Sequence, residues 1–136
     1  MLISRYYTML YTCNIKLGEI IVNVQFKKGV LTLCVLVLTA HKDRYGYELV
    51  NEISEKFVIS VGSVYPLLRR LTKEEYFSTY MIESQEGPAR KYYHLTNKGK
   101  TFMTKQLDEW KLFSEGVYLI IKEGLENDEI GIPNKT

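Results

Sequence analysis

The sequence has few of the residues on which metal sites and disulfide frameworks depend. It holds 2 cysteines and 2 histidines in 136 residues, and Cys13 and Cys34 are too far apart to form a C-x-x-C pair. Cys34 lies in the apolar segment 30–38, so we expect it to be a buried free thiol, which suits a reducing cytoplasm. No cluster of ligand residues indicates a metal, and we expect no cofactor.

Long apolar segments and catalytic motifs are absent as well. Segment 30–38 is much shorter than the roughly 20 residues of a membrane-spanning helix, and the N-terminus lacks the pattern of a secretory signal. The H-E-x-x-H, P-loop, G-x-S-x-G and G-x-G-x-x-G motifs do not occur, and neither His41 nor His94 has a visible catalytic partner. These absences predict a cytoplasmic protein that is not an enzyme and does not bind membranes.

The charge is weak overall but uneven along the chain. The formal net charge is +2, whereas residues 26–100 hold 12 Lys/Arg against 8 Asp/Glu and residues 101–136 hold 4 against 7. A basic middle and an acidic end fit a module that faces nucleic acid, followed by a segment that faces something else. Ordinary surface variation would give similar counts.

Residues 1–24 show no clear period and precede a segment that looks like a natural start. One interpretation is a mis-assigned start, because Gly18-Glu19 can be encoded by a ribosome-binding sequence and Val22 by a GUG start codon. The alternative is an arm that belongs to the protein. Either interpretation separates residues 1–24, as an N-terminal extension, from the domain that follows.

Residues 25–96 predict a winged helix-turn-helix domain. Apolar residues recur at helical spacing in three segments, and two alternating, tyrosine-rich segments predict a hairpin. The predicted helices span 25–40, 47–57 and 61–74, and the predicted strands span 77–83 and 90–95. In the second strand we expect Tyr93 and Leu95 to face the core and Tyr92 to face away from it. Asp43–Gly46 is predicted to be a turn, and Gly87-Pro88 marks the loop of the hairpin. The fold class is therefore mainly α with a small β-wing, an order of elements typical of DNA binding.

The third helix is the candidate for the major groove, and the hairpin is the candidate wing. The candidate DNA-binding residues are Ser60, Gly62, Ser63, Tyr65, Arg69, Arg70, Lys73, Arg90 and Lys91. Small residues at a helix start let backbone N–H groups approach a phosphate, and basic wing residues lie against the DNA backbone or in a minor groove. The alternatives are that Tyr65 packs between helices and that the cations are merely solvated.

A long last helix, residues 97–124, is predicted to begin after Thr96 as its N-cap and to end before a flexible tail, residues 125–136. Its apolar stripe is wider than one small domain can cover, so we expect it to form a homodimer interface. The stripe consists of Met103, Leu107, Trp110, Ser114, Val117 and Ile121. Trp110 has two interpretations, an anchor of the dimer core or an aromatic wall for a flat apolar ligand.

Four motifs, in this order, resemble the PadR family of bacterial transcriptional regulators. They are Phe-Lys-Lys-Gly-Val-Leu at 26–31, Tyr-Gly-Tyr-Glu-Leu at 45–49, Val-Tyr-Pro-Leu-Leu-Arg-Arg-Leu at 64–71 and Gly-Pro-Ala-Arg-Lys-Tyr-Tyr-His-Leu-Thr at 87–96. The resemblance covers about Val24 to Ile121, and the single C-terminal helix is similar to the short subfamily. It implies a dimeric winged-helix protein, usually a repressor. In some short members a tryptophan of the last helix stacks on planar drugs, and Trp110 occupies the matching place.

Three residues depart from the family pattern. Val61 stands where a polar or acidic residue is usual, which puts base contacts at the helix start in doubt. Glu75 replaces a common glycine between the recognition helix and the wing, so either this turn is strained or its geometry differs. Met81 replaces a common tryptophan in the first wing strand, which would reshape a ligand pocket.

The sequence thus predicts a sequence-specific DNA-binding transcriptional regulator. We expect a dimeric repressor that binds a palindromic operator in double-stranded DNA and is released by a planar aromatic or apolar small molecule. The alternative is a winged-helix protein-interaction module without specific DNA binding. Arg69, Arg70 and Lys73 argue against that alternative, whereas Val61 leaves it open.

Overall fold

In the computed structural model, residues 24–56 and 58–127 are described, and they form the predicted mainly helical fold with a small antiparallel sheet. The elements are α1 (Val24–His41), β1 (Arg44–Tyr45), α2 (Gly46–Ser54), α3 (Val61–Lys73), β2 (Phe77–Ser84), β3 (Gly87–Leu95) and α4 (Asn97–Asn127). The chain divides into two compact units between Met103 and Thr104. The predicted N-terminal extension lies almost wholly outside the described residues, as does the tail beyond Asn127.

The core of the first unit is built from one face of each helix and from the inner face of the sheet. The apolar spacing predicts core faces of Leu49, Val50, Ile53 and Phe57 in α2 and of Val64, Leu67, Leu68 and Leu71 in α3. Six of these eight residues are buried, Leu67 is half-buried, and Phe57 lies outside the described residues. The fully buried members are Leu49 from α2 and Val64, Leu68 and Leu71 from α3. Removing one such side chain from water contributes about 1.5–3 kcal/mol, so these faces fix how α2 and α3 pack.

The helix α1 is buried on a narrower face than its sequence predicts. Val35 and Leu36 are fully buried, but Val37 is 43% exposed and Cys34 is only half-buried. Cys34 is a free thiol, and burial raises its pKa although a backbone hydrogen bond lowers it. The buried face also includes Thr39, whose hydroxyl donates to the Val35 carbonyl oxygen at 2.6 Å. A threonine is tolerated there because its hydroxyl is satisfied within the helix.

The sheet has the strand order β1-β3-β2, and both pairings are antiparallel. Phe77 pairs with Leu95 and Tyr80 with Tyr92. Because successive strand residues point to opposite faces, Tyr93 and Leu95 enter the core while Tyr92 faces away, as the sequence predicts.

The strand β1 corrects the prediction that Asp43–Gly46 is only a turn. Arg44 is 5% exposed and pairs across the sheet with Tyr93. Its guanidinium forms an ion pair with Glu52 and donates from Nε to the Leu38 carbonyl oxygen at 3.1 Å. The sequence did not indicate this strand, because the charged residues Asp43 and Arg44 are typical of an exposed turn. A buried arginine is tolerated only where partners accept its hydrogen bonds, and those partners are not visible in the sequence.

The hairpin loop is also shorter than the predicted Ser84–Ala89 loop. Only Gln85 and Glu86 lie outside the strands, and Ser84 pairs with Gly87. The pairing of β2 with β3 is irregular between Ile82 and Ser84, and Pro88 lies opposite this irregularity on β3. A proline can enter a strand at such a place because no regular hydrogen bond is lost there. The wing is therefore longer than predicted, and its tip is formed by two residues.

The connection from α3 to β2 depends on a left-handed residue. Among the described residues, Glu75 is the only non-glycine with a positive φ, at 64°. The Tyr76 N–H donates to the Leu71 carbonyl oxygen at 3.0 Å, and the Glu75 N–H donates to that of Thr72 at 3.0 Å. This is the hydrogen-bond pattern of a helix end that favours glycine at the left-handed position. The structure thus shows that Glu75 strains the turn.

The start of α4 is held against this connection. The Thr96 hydroxyl accepts from the Gly99 N–H at 3.0 Å, which confirms Thr96 as the N-cap, and donates to the Glu75 carbonyl oxygen at 2.7 Å. A Cβ on Gly99 would lie 2.2 Å from the Tyr76 carbonyl oxygen, so only glycine fits. The α4 helix therefore begins at a fixed position beside the end of the wing.

The second unit contributes the part of α4 from Thr104 to Asn127. Four of its apolar side chains are more than half exposed: Leu112 at 72%, Phe113 at 61%, Leu119 at 59% and Ile120 at 71%. The ring centroids of Trp110 and Phe113 lie 6.4 Å apart. Considered by itself, this segment leaves large apolar side chains in contact with water.

Glu75→Gly should raise the free energy of unfolding by about 1 kcal/mol, because glycine removes the cost of the left-handed conformation. Denaturant unfolding measures the change. Glu74→Gly is the matched control, since Glu74 has φ −79° and glycine relieves nothing there. Equal effects of the two substitutions, or a loss of stability with Glu75→Gly, would contradict the assignment of strain to Glu75.

Candidate nucleic-acid interface

The helix α3 separates its apolar and polar residues cleanly between two sides. Its buried side holds Val64, Leu68 and Leu71, as the core requires. The predicted DNA-binding residues Ser60, Gly62, Ser63, Arg69, Arg70 and Lys73 are all exposed. The side that faces away from the core is therefore the one that carries the small residues and the cations.

The Ser60 hydroxyl at the N-terminus of α3 does not cap the helix. Ser60 occupies the N-cap position, as predicted, but its side chain makes no capping hydrogen bond. The Ser63 N–H instead donates to the Ser60 backbone carbonyl oxygen at 2.9 Å. The Ser60 hydroxyl is thus free, within the described part of the chain, to meet a ligand. The side chain of Val61 lies outside what is described, so the effect of this residue on base contacts at the helix start stays a prediction.

Tyr65 has a packing role that the sequence left open. Its ring lies against Gly46, where an added Cβ would come within 2.6 Å of Tyr65 Cε1. Tyr65 is half-buried and packs against the core. Glycine at position 46 is therefore required by this close approach, and it fixes the Tyr65 ring between α2 and α3.

The two basic residues of the wing point to opposite faces of β3. Arg90 pairs with Ile82 on the outer face, and Lys91 pairs with Met81 on the inner face. The Arg90 guanidinium carbon lies 4.8 Å from the centroid of the Tyr45 ring, within cation–π range. The sequence did not predict this role for Tyr45, because only the pairing of β1 with β3 brings the two residues together.

A cleft of about 520 Å³ separates α3 from the wing. It is lined by Arg69 from α3 and by Arg90 and Lys91 from β3, which brings three of the predicted DNA-binding cations to one place. Arg70 points elsewhere, since its Nη2 donates to Thr32 Oγ1 of α1 at 3.4 Å. Lys73 is exposed on α3 but does not line the cleft.

The exposed cations of α3 and β3 differ from the other cations of the fold in their ion pairs. Among the described residues, Arg69, Lys73, Arg90 and Lys91 form no ion pair, whereas Arg44, Lys98 and His94 each pair with a carboxylate. An exposed cation without a partner can neutralise an external anion with no internal bond to break. The pairing pattern therefore separates cations that bind a carboxylate of the fold from exposed cations that bind none among the described residues.

A hydrogen-bonded group on the outer face of the sheet ties the wing to the segment before β1. His94 Nδ1 donates to Asp43 Oδ1 at 2.8 Å, and the Tyr80 hydroxyl donates to Asp43 Oδ2 at 2.8 Å. Slight burial raises the pKa of Asp43, but these bonds and the nearby His94 lower it below 3.8 overall. The bond to Asp43 also raises the pKa of Tyr80. Sequence reasoning missed this group, because its members are distant along the chain.

Neither a metal site nor a membrane segment is found in the described part of the chain. No group of three or more His, Cys, Asp or Glu side chains there could hold a metal ion. None of the described helices is long and apolar enough to cross a membrane.

The predicted interface residues of α4 fall in both units. Met103 packs against the core of the first unit. In the second unit, Leu107, Ser114 and Ile121 are half-buried, while Trp110 and Val117 are 38% and 39% exposed.

Asp43→Asn should lower the free energy of unfolding near neutral pH by about 1 kcal/mol, since two hydrogen bonds lose a charged acceptor that is partly exposed. Because the pKa of Asp43 is lower in the folded state, the stabilisation is present above about pH 4 and is lost as the pH falls further. Denaturant unfolding across this range measures it. Asp108→Asn is the control, because it removes a carboxylate without a described partner. It should change neither the free energy of unfolding nor its dependence on pH.

Comparisons with known proteins give a family match and several similar proteins. Residues 35–105 match the model of the transcriptional regulator PadR-like family. An uncharacterized protein of Lysinibacillus sphaericus is 37% identical over 103 residues, which cover 73% of this chain and 94% of that protein. The crystal structure of a PadR-like transcriptional regulator from Bacillus cereus is 36% identical with a TM-score of 0.65, and covers 71% of this chain and 96% of its own. The crystal structure of a Streptococcus transcriptional regulator is 39% identical with a TM-score of 0.65, and the match covers 72% of this chain and 98% of that chain.

Proposed function

Because the chain belongs to the PadR-like family of transcriptional regulators, we propose that it is a cytoplasmic, dimeric repressor that binds a palindromic operator and is released by a small molecule. The proteins of this family are regulators of transcription, not enzymes. The proposal assigns DNA contact to the exposed side of α3 and to the wing, and it assigns dimerisation to α4.

The observation that carries the DNA proposal is the set of unpaired cations on α3 and β3. Arg69 and Lys73 lie on one element and Arg90 and Lys91 on the other, with the cleft between the elements. A helix in the major groove and a wing along the flanking backbone require cations on these two elements. Neutralising phosphates in this way supplies most of the affinity and makes it fall with salt.

The exposed small residues at the start of α3 support sequence-specific contact. Gly62 and Ser63 keep side-chain bulk low, so that the first turn can approach base edges in a major groove. The free Ser60 hydroxyl can donate to a phosphate or a base. The ring of Tyr65 packs against Gly46, so the part of Tyr65 that can contact DNA is its hydroxyl.

The exposed apolar side chains of α4 support a homodimer. Trp110, Phe113, Val117 and Ile120 are between 38% and 71% exposed, which is unfavourable for a helix that remains in water. A second copy of α4 would cover them, and a two-fold dimer would present two copies of α3 to an operator with matching symmetry. Trp110 beside Phe113 offers an aromatic wall to a planar aromatic or apolar effector at this interface.

Arg69→Ala and Arg90→Ala should each weaken binding to the DNA upstream of the protein's own gene by about three- to tenfold and reduce the salt slope by about 0.9. Arg70→Ala should lose less, because Arg70 is directed toward Thr32. Fluorescence anisotropy across a salt series measures these values. Lys98→Ala is the control, since Lys98 pairs with Glu75 at 3.8 Å.

If Arg69→Ala and Arg90→Ala bind as the unmodified protein does, the docking surface is wrong. If the unmodified protein also shows no preference for its upstream DNA over unrelated DNA, the result favours a winged-helix protein-interaction module.

Val117→Lys should convert the dimer to a monomer, because it places a charge within the proposed interface stripe. Leu112→Lys is the matched control, since Leu112 lies about half a turn away on the opposite side of α4. Light scattering after size exclusion measures both masses. Titration of planar drugs can be followed by fluorescence of Trp110, the single tryptophan of the chain. A dimer that survives Val117→Lys but not Leu112→Lys would place the interface on the other side of the helix.

A further inference from the structure

The floor of the cleft between α3 and the wing combines two tyrosines with an arginine. Tyr65 and Arg69 come from successive turns of α3, and Tyr93 comes from β3. The sequence assigned Tyr93 to the core, and its residue is indeed only 5% exposed. It nevertheless lines the cleft. Burial raises the pKa of Tyr93, nearby Tyr65 raises it further and nearby Arg69 lowers it, in agreement with three closely spaced groups.

The tyrosine hydroxyls and the arginine of this floor have no partner in the described part of the chain. Among the described residues, neither the Tyr65 nor the Tyr93 hydroxyl has a hydrogen-bond partner, and Arg69 has no ion pair. No side-chain oxygen or nitrogen in this part of the chain is sealed from solvent without a partner. The Tyr93 hydroxyl must therefore reach the water in the cleft, even though most of its residue is buried.

The charge around the cleft selects an anion. Arg69, Arg90 and Lys91 line it together with a single carboxylate, that of Glu86. Two phenolic O–H donors and a guanidinium are all hydrogen-bond donors to an anion, and phosphate oxygens accept several such bonds at once. Tyr45 and Tyr47 also line the cleft, and neither carries a charge that would oppose an anion.

We propose that Tyr65, Tyr93 and Arg69 form a phosphate-ester site at the floor of the cleft, with Arg90 and Lys91 at its rim. The proposal rests on the proposed function where the ester is a backbone phosphate of bound DNA. The same chemistry would also accept the phosphate of a free nucleotide, which would then compete with DNA. In either case Tyr93 is a ligand-contacting residue as well as a core residue.

Removing one hydroxyl at a time tests the site. Tyr65→Phe and Tyr93→Phe keep the rings and should each weaken binding to the upstream DNA by about tenfold, because each loses a hydrogen bond to a charged acceptor. Tyr92→Phe is the matched control, since Tyr92 is the neighbour of Tyr93 on β3 and faces away from the core. Arg69→Gln tests the same site at an exposed residue whose substitution leaves the core intact.

Nuclear magnetic resonance titrations distinguish the two sources of phosphate. Adenosine monophosphate is the probe, and adenosine, which lacks the phosphate, is its control. If a free nucleotide is a ligand, adenosine monophosphate should shift the amide resonances of Gly46 and Arg69 in the unmodified protein but not in Tyr93→Phe. If the phosphate is that of DNA, only the DNA affinities should change.

The outcomes separate this proposal from the general function. If the protein binds its DNA and the two tyrosine variants and Arg69→Gln bind as well as Tyr92→Phe, with no response to adenosine monophosphate, the phosphate site is overturned while the regulator stands. A protein that ignores DNA but binds adenosine monophosphate through Tyr93 would keep the site and remove the proposed function. Binding of neither would overturn both.

Discussion

The pairing of β3 with strands on both sides is the constraint on which the proposed DNA-binding surface depends. Its alternation sends Tyr93 and Leu95 into the core and leaves Arg90, Tyr92 and His94 on the outer face. A shift of the register by one residue would exchange these faces, burying cations and exposing the core. Pairing with β1 is what brings the Tyr45 ring beneath Arg90, so the position of a wing cation follows from the sheet.

The second organising feature is the division of charges into paired and unpaired groups. Arg44 is buried and neutralised by Glu52, and Asp43 binds both His94 and Tyr80. The Arg44–Glu52 pair joins β1 to α2, and the Asp43 bonds join the wing to the segment before β1. Loss of one partner would leave the buried charge of Arg44 without compensation, which is costly. The cations of the cleft form no ion pair among the described residues, so a ligand that binds them breaks no ion pair of the fold.

The sequence predicted the elements with strong local signals. The 3.6-residue spacing in α2 and α3 located most of their buried faces, and the Thr96 cap located the start of α4. The family resemblance left two alternatives at Glu75, a strained turn or a different geometry, and the structure shows a left-handed residue there. The sequence could not predict β1, because this two-residue strand exists only through its pairing with β3. It could not predict the burial of Arg44 either, because that burial depends on the ion pair with Glu52. The cleft depends on side chains from α3 and β3 meeting across the fold, so Tyr93 was recognised only as a core residue. The narrower burial of α1 likewise reflects tertiary packing that its apolar composition does not encode.

The central claim is that the cleft-forming elements bind one operator through unpaired cations and specific base contacts. The most direct test is the affinity of the full chain for the DNA upstream of its own gene, measured across a salt series with and without excess unrelated DNA. The account predicts a complex that survives the competitor and whose affinity falls steeply with salt, as expected for several phosphate contacts. Equal affinity for both DNAs, or no complex at low salt, would contradict it.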